Sequence, residues 1–178
     1  MAFAVICLCL GQNFVRANAA SSGTCGDNLT WKLEGDTLTI SGTGRMSSYN
    51  NSERPWHSLD FDEVVVEYGV TSIGDHAFSD LKNLEEVYLP ESITHIGRYA
   101  FSECTGLEEI ELPNSLEYIS VYAFKSSGLE YIEIPNSVTT LQSSVFEYCD
   151  SLEIATLPGK LKAVPFALFR GCSSLEAV

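Results

Sequence analysis

The side chains in this chain that could do chemistry are its carboxylates, three histidines and a set of cysteines. None of them forms a catalytic constellation. Asp and Glu number 24 against 10 Lys and Arg, for a formal charge of −14. Two carboxylates converging in a cleft ~5–9 Å apart would suit glycoside hydrolysis. Here the glutamates recur at fixed intervals, so many pairs meet that spacing by repetition alone. His57, His76 and His95 are the only histidines, and none stands with a Ser or Cys nucleophile and an acid in a recognisable motif. His76 and His95 fall at variable, turn-facing positions, where other copies of the repeat described below carry Tyr99 and Tyr122. No C-x-x-C and no His/Cys pair at ligand spacing exists, so zinc is not expected. The reading is therefore no enzyme, no metal and no cofactor. Nucleic acid is also excluded as a partner, because phosphate binding needs a basic face.

Binding chemistry remains. The candidate surface is Glu86, Tyr88, Glu109, Glu111, Tyr131 and Glu133. These residues alternate with apolar ones: Val87 and Leu89, Ile110 and Leu112, Ile132 and Ile134. Period-two alternation marks strands with the apolar set inward and the glutamates and tyrosines outward. One outward column runs Glu63, Glu86, Glu109, Tyr131, Ile154. The next runs Val65, Tyr88, Glu111, Glu133, Thr156. Like charges on neighbouring strands repel, so the fold has no need of them there. Two readings fit: a binding surface, and a solvated strand face. A third column, Glu85, Glu108, Glu130, Glu153 and Glu176, stands at the strand entrance and reads as solvated.

The element that positions these columns is a unit of 22 or 23 residues recurring from Phe61 onward. Phenylalanine returns at Phe78, Phe101, Phe124, Phe146 and Phe169. Leucine returns at Leu84, Leu107, Leu129, Leu152 and Leu175, and proline at Pro90, Pro113, Pro135 and Pro158. A fixed period of this length is the signature of a solenoid. Proline ends each strand because it lacks the N–H donor. The G-x-x-A-F stretch, as in Gly97 to Phe101, reads as a tight turn or short 3₁₀ piece that drops its phenylalanine into the core. The third unit is one residue short in FKSSGL, which places the deletion in a loop. Residues 61–178 hold five repeats and a partial sixth.

Residues 21–60 are different. Leu29, Trp31 and Leu33, then Leu38 and Ile40 beyond Gly35-Asp36, read as a β-hairpin. This segment is expected to cap the open first rung, with Trp31 and Trp56 as covering side chains. Residues 1–20 read as a secretory signal: a ten-residue apolar run too short to span a bilayer, then Ala17-Asn18-Ala19. No other stretch is long enough for a membrane helix, so no membrane insertion of the mature chain is expected. Export permits disulfides. Cys104, Cys149 and Cys172 share one column with Leu81 and read as buried small apolar residues, with a Cys149–Cys172 bridge and free thiols both open. Asn28-Leu29-Thr30 and Asn50-Asn51-Ser52 fit the glycosylation sequon. The chain ends partway into a sixth strand, which reads as a fragment of a longer protein or as an open rung that could associate end to end with another chain.

The GxxAF-x-x-C-x-x-L-x-x-[VI]-x-[LI]-P unit resembles the BspA-type, or Treponema-type, leucine-rich repeats. The leader TCGDNLTWKLEGDTLTISGTGRMSSY resembles the segment that often precedes them in secreted bacterial members. Copies four and five depart by losing Gly-x-x-Ala, and the strand face here is rich in glutamate. The resemblance implies a β-rich leucine-rich-repeat solenoid of the α/β class, with few short helical turns and an N-terminal β-hairpin cap. It implies a secreted or cell-surface module for protein or glycan recognition, in adhesion to host or neighbouring cells. The alternative is a structural spacer displaying a further C-terminal domain. The family carries no binding motif to transfer residue by residue.

Overall fold

The computed structural model describes residues 21–50 and 52–178. The expected signal peptide over 1–20, and Asn51 of the second sequon, lie outside the described residues. Twelve strands follow in order: β1 (Ser21–Gly26), β2 (Leu29–Glu34), β3 (Thr37–Gly42), β4 (Gly44–Arg45), β5 (Glu63–Val66), β6 (Val70–Ile73), β7 (Glu86–Tyr88), β8 (His95–Ile96), β9 (Tyr118–Ile119), β10 (Tyr131–Glu133), β11 (Thr140–Leu141) and β12 (Ile154–Thr156). Among the described residues there is no helix. The few short helical turns expected from the sequence are tight β-turns instead. The unit of residues 84–106 coils once through a strand (β7), a second short strand (β8) and a run of turns; the units stack as a β-solenoid, and those beginning at residues 107 and 152 each keep only one of the two strands.

The N-terminal segment joins the solenoid through its backbone. β2 and β3 form the expected hairpin, with Trp31 opposite Ile40 and Leu33 opposite Leu38. β3 then pairs in parallel with β5, Leu38 against Val64 and Ile40 against Val66. The first sheet is thereby continuous from β1 to β7. A second sheet, in the order β11-β9-β8-β6-β4, forms another side of the coil.

The core follows from the alternation. Val64, Ile132, Leu84, Leu107, Leu129 and Leu152 are fully buried. The phenylalanines stack as a column: Phe78 on Phe101 at 5.4 Å, Phe101 on Phe124 at 5.4 Å, Phe124 on Phe146 at 5.5 Å, Phe146 on Phe169 at 5.7 Å. Near-parallel rings at this separation gain contact enthalpy beyond their burial. Trp56 extends the column at the N-terminal side, 5.7 Å from Phe78, and Trp31 meets it edge-on at 6.0 Å. The Trp56 indole N–H donates to the Ala77 carbonyl at 2.9 Å, which anchors it to the first turn.

The turn side is a third hydrogen-bonded ladder. Phe78, Phe101, Phe124 and Phe146 each donate their backbone N–H to a carbonyl of the following unit, at 2.8–3.1 Å. Turns such as Gly74–Ala77 and Phe146–Cys149 close with i→i+3 bonds around His76 (φ 54°) and Tyr148 (φ 61°). A positive φ at the third position is the mark of a type II turn and excludes 3₁₀ geometry. Gly97 is required by close approach rather than by φ: a Cβ there would lie 2.6 Å from Asp75 Oδ1 and 2.7 Å from the Asp75 nitrogen. The cysteine column does more than fill space. Cys104, Cys149 and Cys172 each donate Sγ–H to the carbonyl of the previous unit's phenylalanine, Phe78, Phe124 and Phe146, at 3.0 Å. Those carbonyls face the column, so a thiol suits it better than the purely apolar residue the sequence suggests. Ser127 takes the same place in the third unit, its Oγ 3.3 Å from Cys149 Sγ. All four described cysteines, Cys25 included, are free thiols.

Candidate functional site

The strand face carries the expected columns where the ladder is intact. Glu63 pairs with Glu86 and Val65 with Tyr88; Tyr131 pairs with Ile154 and Glu133 with Thr156. Glu86, Tyr88, Tyr131 and Glu133 are all exposed while Val87 and Ile132 between them are buried. Each tyrosine hydroxyl turns to a glutamate on its own strand. Tyr88 donates to Glu86, and Tyr131 donates to Glu133 Oε2 at 3.3 Å. The bond to Glu86 holds the Tyr88 phenol above its ordinary pKa, because the neighbouring carboxylate opposes a second negative charge.

Glu109 and Glu111 depart from expectation. The sequence places them on a strand, but residues 107–113 carry no ladder. Ile110 still points inward and is buried, and Glu109 and Glu111 still point out and are exposed. Among the described residues, no backbone hydrogen bond reaches Glu109, Ile110, Glu111 or Leu112. The sheet therefore breaks here, with β7 ending one part and β10–β12 forming a separate pair. The main-chain bond across the break runs from the Glu130 N–H to the Glu108 carbonyl at 2.9 Å. The second sheet stays continuous past this unit through β8 and β9, as does the turn ladder.

The break coincides with the short unit. After Phe124 only Lys125-Ser126-Ser127-Gly128 precede Leu129, one residue fewer than in the other units. Gly128 is drawn against the previous turn, donating to the Cys104 carbonyl at 3.0 Å, and a Cβ there would stand 2.2 Å from the Thr105 oxygen. At the opening lies a depression of about 1020 Å³ lined by residues 85–89, 106, 108–111, 130 and 131. Its lining includes five of the six candidate residues, Glu133 being the exception. It also takes in Glu85, Glu108 and Glu130, which the sequence reading set aside as solvated strand-entrance residues. The signal that could have found them is the one-residue deletion, which sits at the entrance to β10.

Elsewhere the polar side chains serve the fold. Asp75 Oδ1 accepts from the Arg98 N–H at 2.8 Å, Glu91 from the N–H groups of Asn114 and Ser115, Asn136 Oδ1 from the Gly159 N–H at 2.9 Å. On the turns, His76 stacks on Tyr99 and Tyr99 on Tyr122, each at 4.9 Å, so His76 does share the tyrosine column. Burial lowers the His76 pKa. His95 belongs to a different column: it sits on β8, stacked on Tyr118 at 5.6 Å. Arg98 lies over the Tyr99 ring at 5.0 Å, Lys125 over Tyr122 at 5.3 Å, and Arg170 over Tyr148 at 5.8 Å. Arg170 also pairs with the buried Glu147 at 3.3 Å. No three of the described His, Cys, Asp and Glu side chains converge to hold a metal.

A family model for the BspA type leucine rich repeat region matches residues 55–176 in six copies. The chain belongs to the BspA-type leucine-rich repeat family. Among solved structures, this family member is similar to a leucine-rich repeat protein from Eubacterium ventriosum, with 26% identity, TM-score 0.64, and 78% of this chain covering 44% of that one. It is similar to a leucine-rich repeat protein from Bacteroides ovatus, with 27% identity, TM-score 0.65, and 84% of this chain covering 45% of that one. The leucine-rich repeat protein of T. pallidum shares the fold, at 24% identity, TM-score 0.72, with 89% of this chain covering 78% of that one. The chain thus spans under half the length of the first two. No curated protein matches it. BspA-type repeats are protein-interaction modules, typically without enzymatic activity and commonly surface-displayed or secreted. Among the described residues, no helix is long and apolar enough to cross a membrane.

Proposed function

We propose that this BspA-type repeat protein is an extracellular or cell-surface recognition module whose strand face binds a protein or glycan, in adhesion to host or neighbouring cells. The observation that carries the reading is the contrast between the two sides of the coil. Turn carboxylates and amides are engaged by backbone N–H groups of the next unit. The glutamates around the opening make no such bond, and Tyr88 and Tyr131 remain 53% and 40% exposed beside them. Tyrosine offers large contact area at low entropic cost, so two exposed rings flanking a depression suit recognition. Residues 1–20 supply the export signal in this reading, and residues 21–60 cover the first rung. A rigid spacer would use the stacked phenylalanines equally well, but it has no use for a broken sheet lined with carboxylates.

The test is solid-phase binding of the mature chain to a panel of extracellular-matrix proteins and mucins. Tyr88→Ala with Tyr131→Ala should lower binding to any partner found, with melting behaviour unchanged because both rings are exposed. Undiminished binding by this variant would move the site off the strand face.

A further inference from the structure

We propose that the opening in the sheet at the third unit seats an extended, lysine- or arginine-rich polypeptide segment of the partner. This rests on the strand face being the recognition surface, and it names what that surface takes.

Three features converge. The first is unused backbone. Glu109 to Leu112 run between β7 and β10 with no ladder bond to either among the described residues, and Glu109, Ile110 and Glu111 line the opening. Main-chain polar groups are strong, obligatory hydrogen-bonding groups, and water satisfies them only while nothing else is bound. The second is charge. Glu86, Glu108, Glu109 and Glu111 rim the depression. No strand segment of this face from Glu63 to Leu157 carries Lys, Arg or His. Carbonyls and carboxylates are both acceptors, and the side chains that answer them with donors and a compensating positive charge are Lys, with three donors, and Arg, with five. The third is size and flanks. About 1020 Å³ is the scale of a whole ligand site rather than one side chain, and the carboxylates are too dispersed to chelate an ion. Tyr88 and Tyr131 have their hydroxyls turned to Glu86 and Glu133, which leaves ring surface for cation–π contact. The chain uses the same contact itself, with Arg98 over Tyr99.

An anionic glycan is disfavoured by the same charges, and a neutral one leaves them uncompensated. A basic segment would relieve the repulsion among the glutamates and also offer carbonyls to the free N–H groups. Its association should be steered by the acidic face and weakened by salt.

The experiment uses the mature chain and a fluorescent peptide of alternating Lys and Ser, read by anisotropy at about 50 and about 300 mM salt. The comparison peptides are the same sequence acetylated on every lysine, and alternating Glu and Ser. The lysine peptide should bind, more weakly at high salt. Acetylation should cost at least about tenfold, and the glutamate peptide should not bind. Glu109→Gln with Glu111→Gln should weaken the lysine peptide about tenfold. Glu153→Gln with Glu176→Gln, which removes equal charge outside the opening, should change it less than about twofold. All four residues are exposed, so the variants should fold; circular dichroism confirms it, and Glu86→Gln with Glu108→Gln repeats the test from the other rim. Equal weakening by the inner and outer pairs would reduce the effect to general attraction and overturn the proposal. So would indifference to lysine acetylation. If a matrix or mucin partner depends on Tyr88 and Tyr131 while acetylation changes nothing, only this proposal fails. If that partner ignores the tyrosines as well, the strand-face reading fails with it.

Discussion

Cys104 should add to the fold's alkali sensitivity a part that Cys104→Ser removes. It is fully buried, its thiol bonded to the Phe78 carbonyl. Burial pushes its pKa from 9.0 to about 12, because the thiolate is the charged form and the interior does not solvate it. Below pH 9 the thiol is protonated in both states and its contribution is fully present. Above pH 9 the unfolded chain releases the proton while the folded chain keeps it. The unfolded state then binds fewer protons, so stability falls by about 1.4 kcal/mol per pH unit until the folded pKa is reached. From the two pKa values this reaches about 4 kcal/mol near pH 12, and about 2 kcal/mol at pH 10.5. Cys25, raised to about 11, and Tyr49, raised to about 12, both by burial, add slope of the same sign. The reading is therefore a difference against Cys104→Ser. Serine does not ionise in this range, and Ser127 shows that a hydroxyl fits the column. The assay is urea unfolding at half-unit steps from pH 8 to about 10.5. The gap between parent and variant should be flat below pH 9 and then shift in the variant's favour by about 1.4 kcal/mol per unit. Parallel curves throughout would refute the reasoning. They would mean that the buried thiolate is compensated inside the fold, with Arg54 the nearby cation able to do it.

Phe101→Ala should cost about 3–5 kcal/mol in urea unfolding, since Phe101 is fully buried and stacked on both sides; Phe169→Ala, partly buried and stacked on Phe146, should cost about 1–2. Equal costs would mean that the rings do not act as a column. Export should leave a mature chain beginning at Ala20 or Ser21, read by intact mass of secreted material, and a retained Met1 would refute the signal-peptide reading.

What was legible in the sequence is what repeats within a column. The phenylalanine spacing gives the ring stack, and the alternation around Val87 and Ile132 gives the inward and outward faces. The hairpin of residues 29–42 is legible because Trp31, Leu33, Leu38 and Ile40 alternate across a Gly-Asp turn. Relations between columns were less legible. The thiol bonds to Phe78, Phe124 and Phe146 depend on where a carbonyl points, which residue type alone does not encode. His76 and His95 looked equivalent as variable turn positions, yet one lies on the turns and the other on β8, because the alternation there spans only two residues.

The broken sheet is the sharpest case. Residues 107–112 read LEEIEL, as good a strand pattern as LEEVYL in the unit before, and Ile110 is buried as that pattern requires. Pattern reports which way side chains point; it does not report whether the neighbouring backbone stands at bonding distance. Parallel pairing needs both edges about 4.8 Å away and in step. A unit with one residue fewer must take up the difference somewhere. The second sheet and the turn ladder keep their bonds across this unit, so the first sheet is where the mismatch appears. The deletion is visible in the sequence as a loop change of no evident consequence. In the fold it leaves the backbone of Glu109 to Leu112 unpaired, on the face where the carboxylates already crowd. The same residue count that costs the solenoid a set of ladder bonds thus opens a carboxylate-rimmed depression on this face.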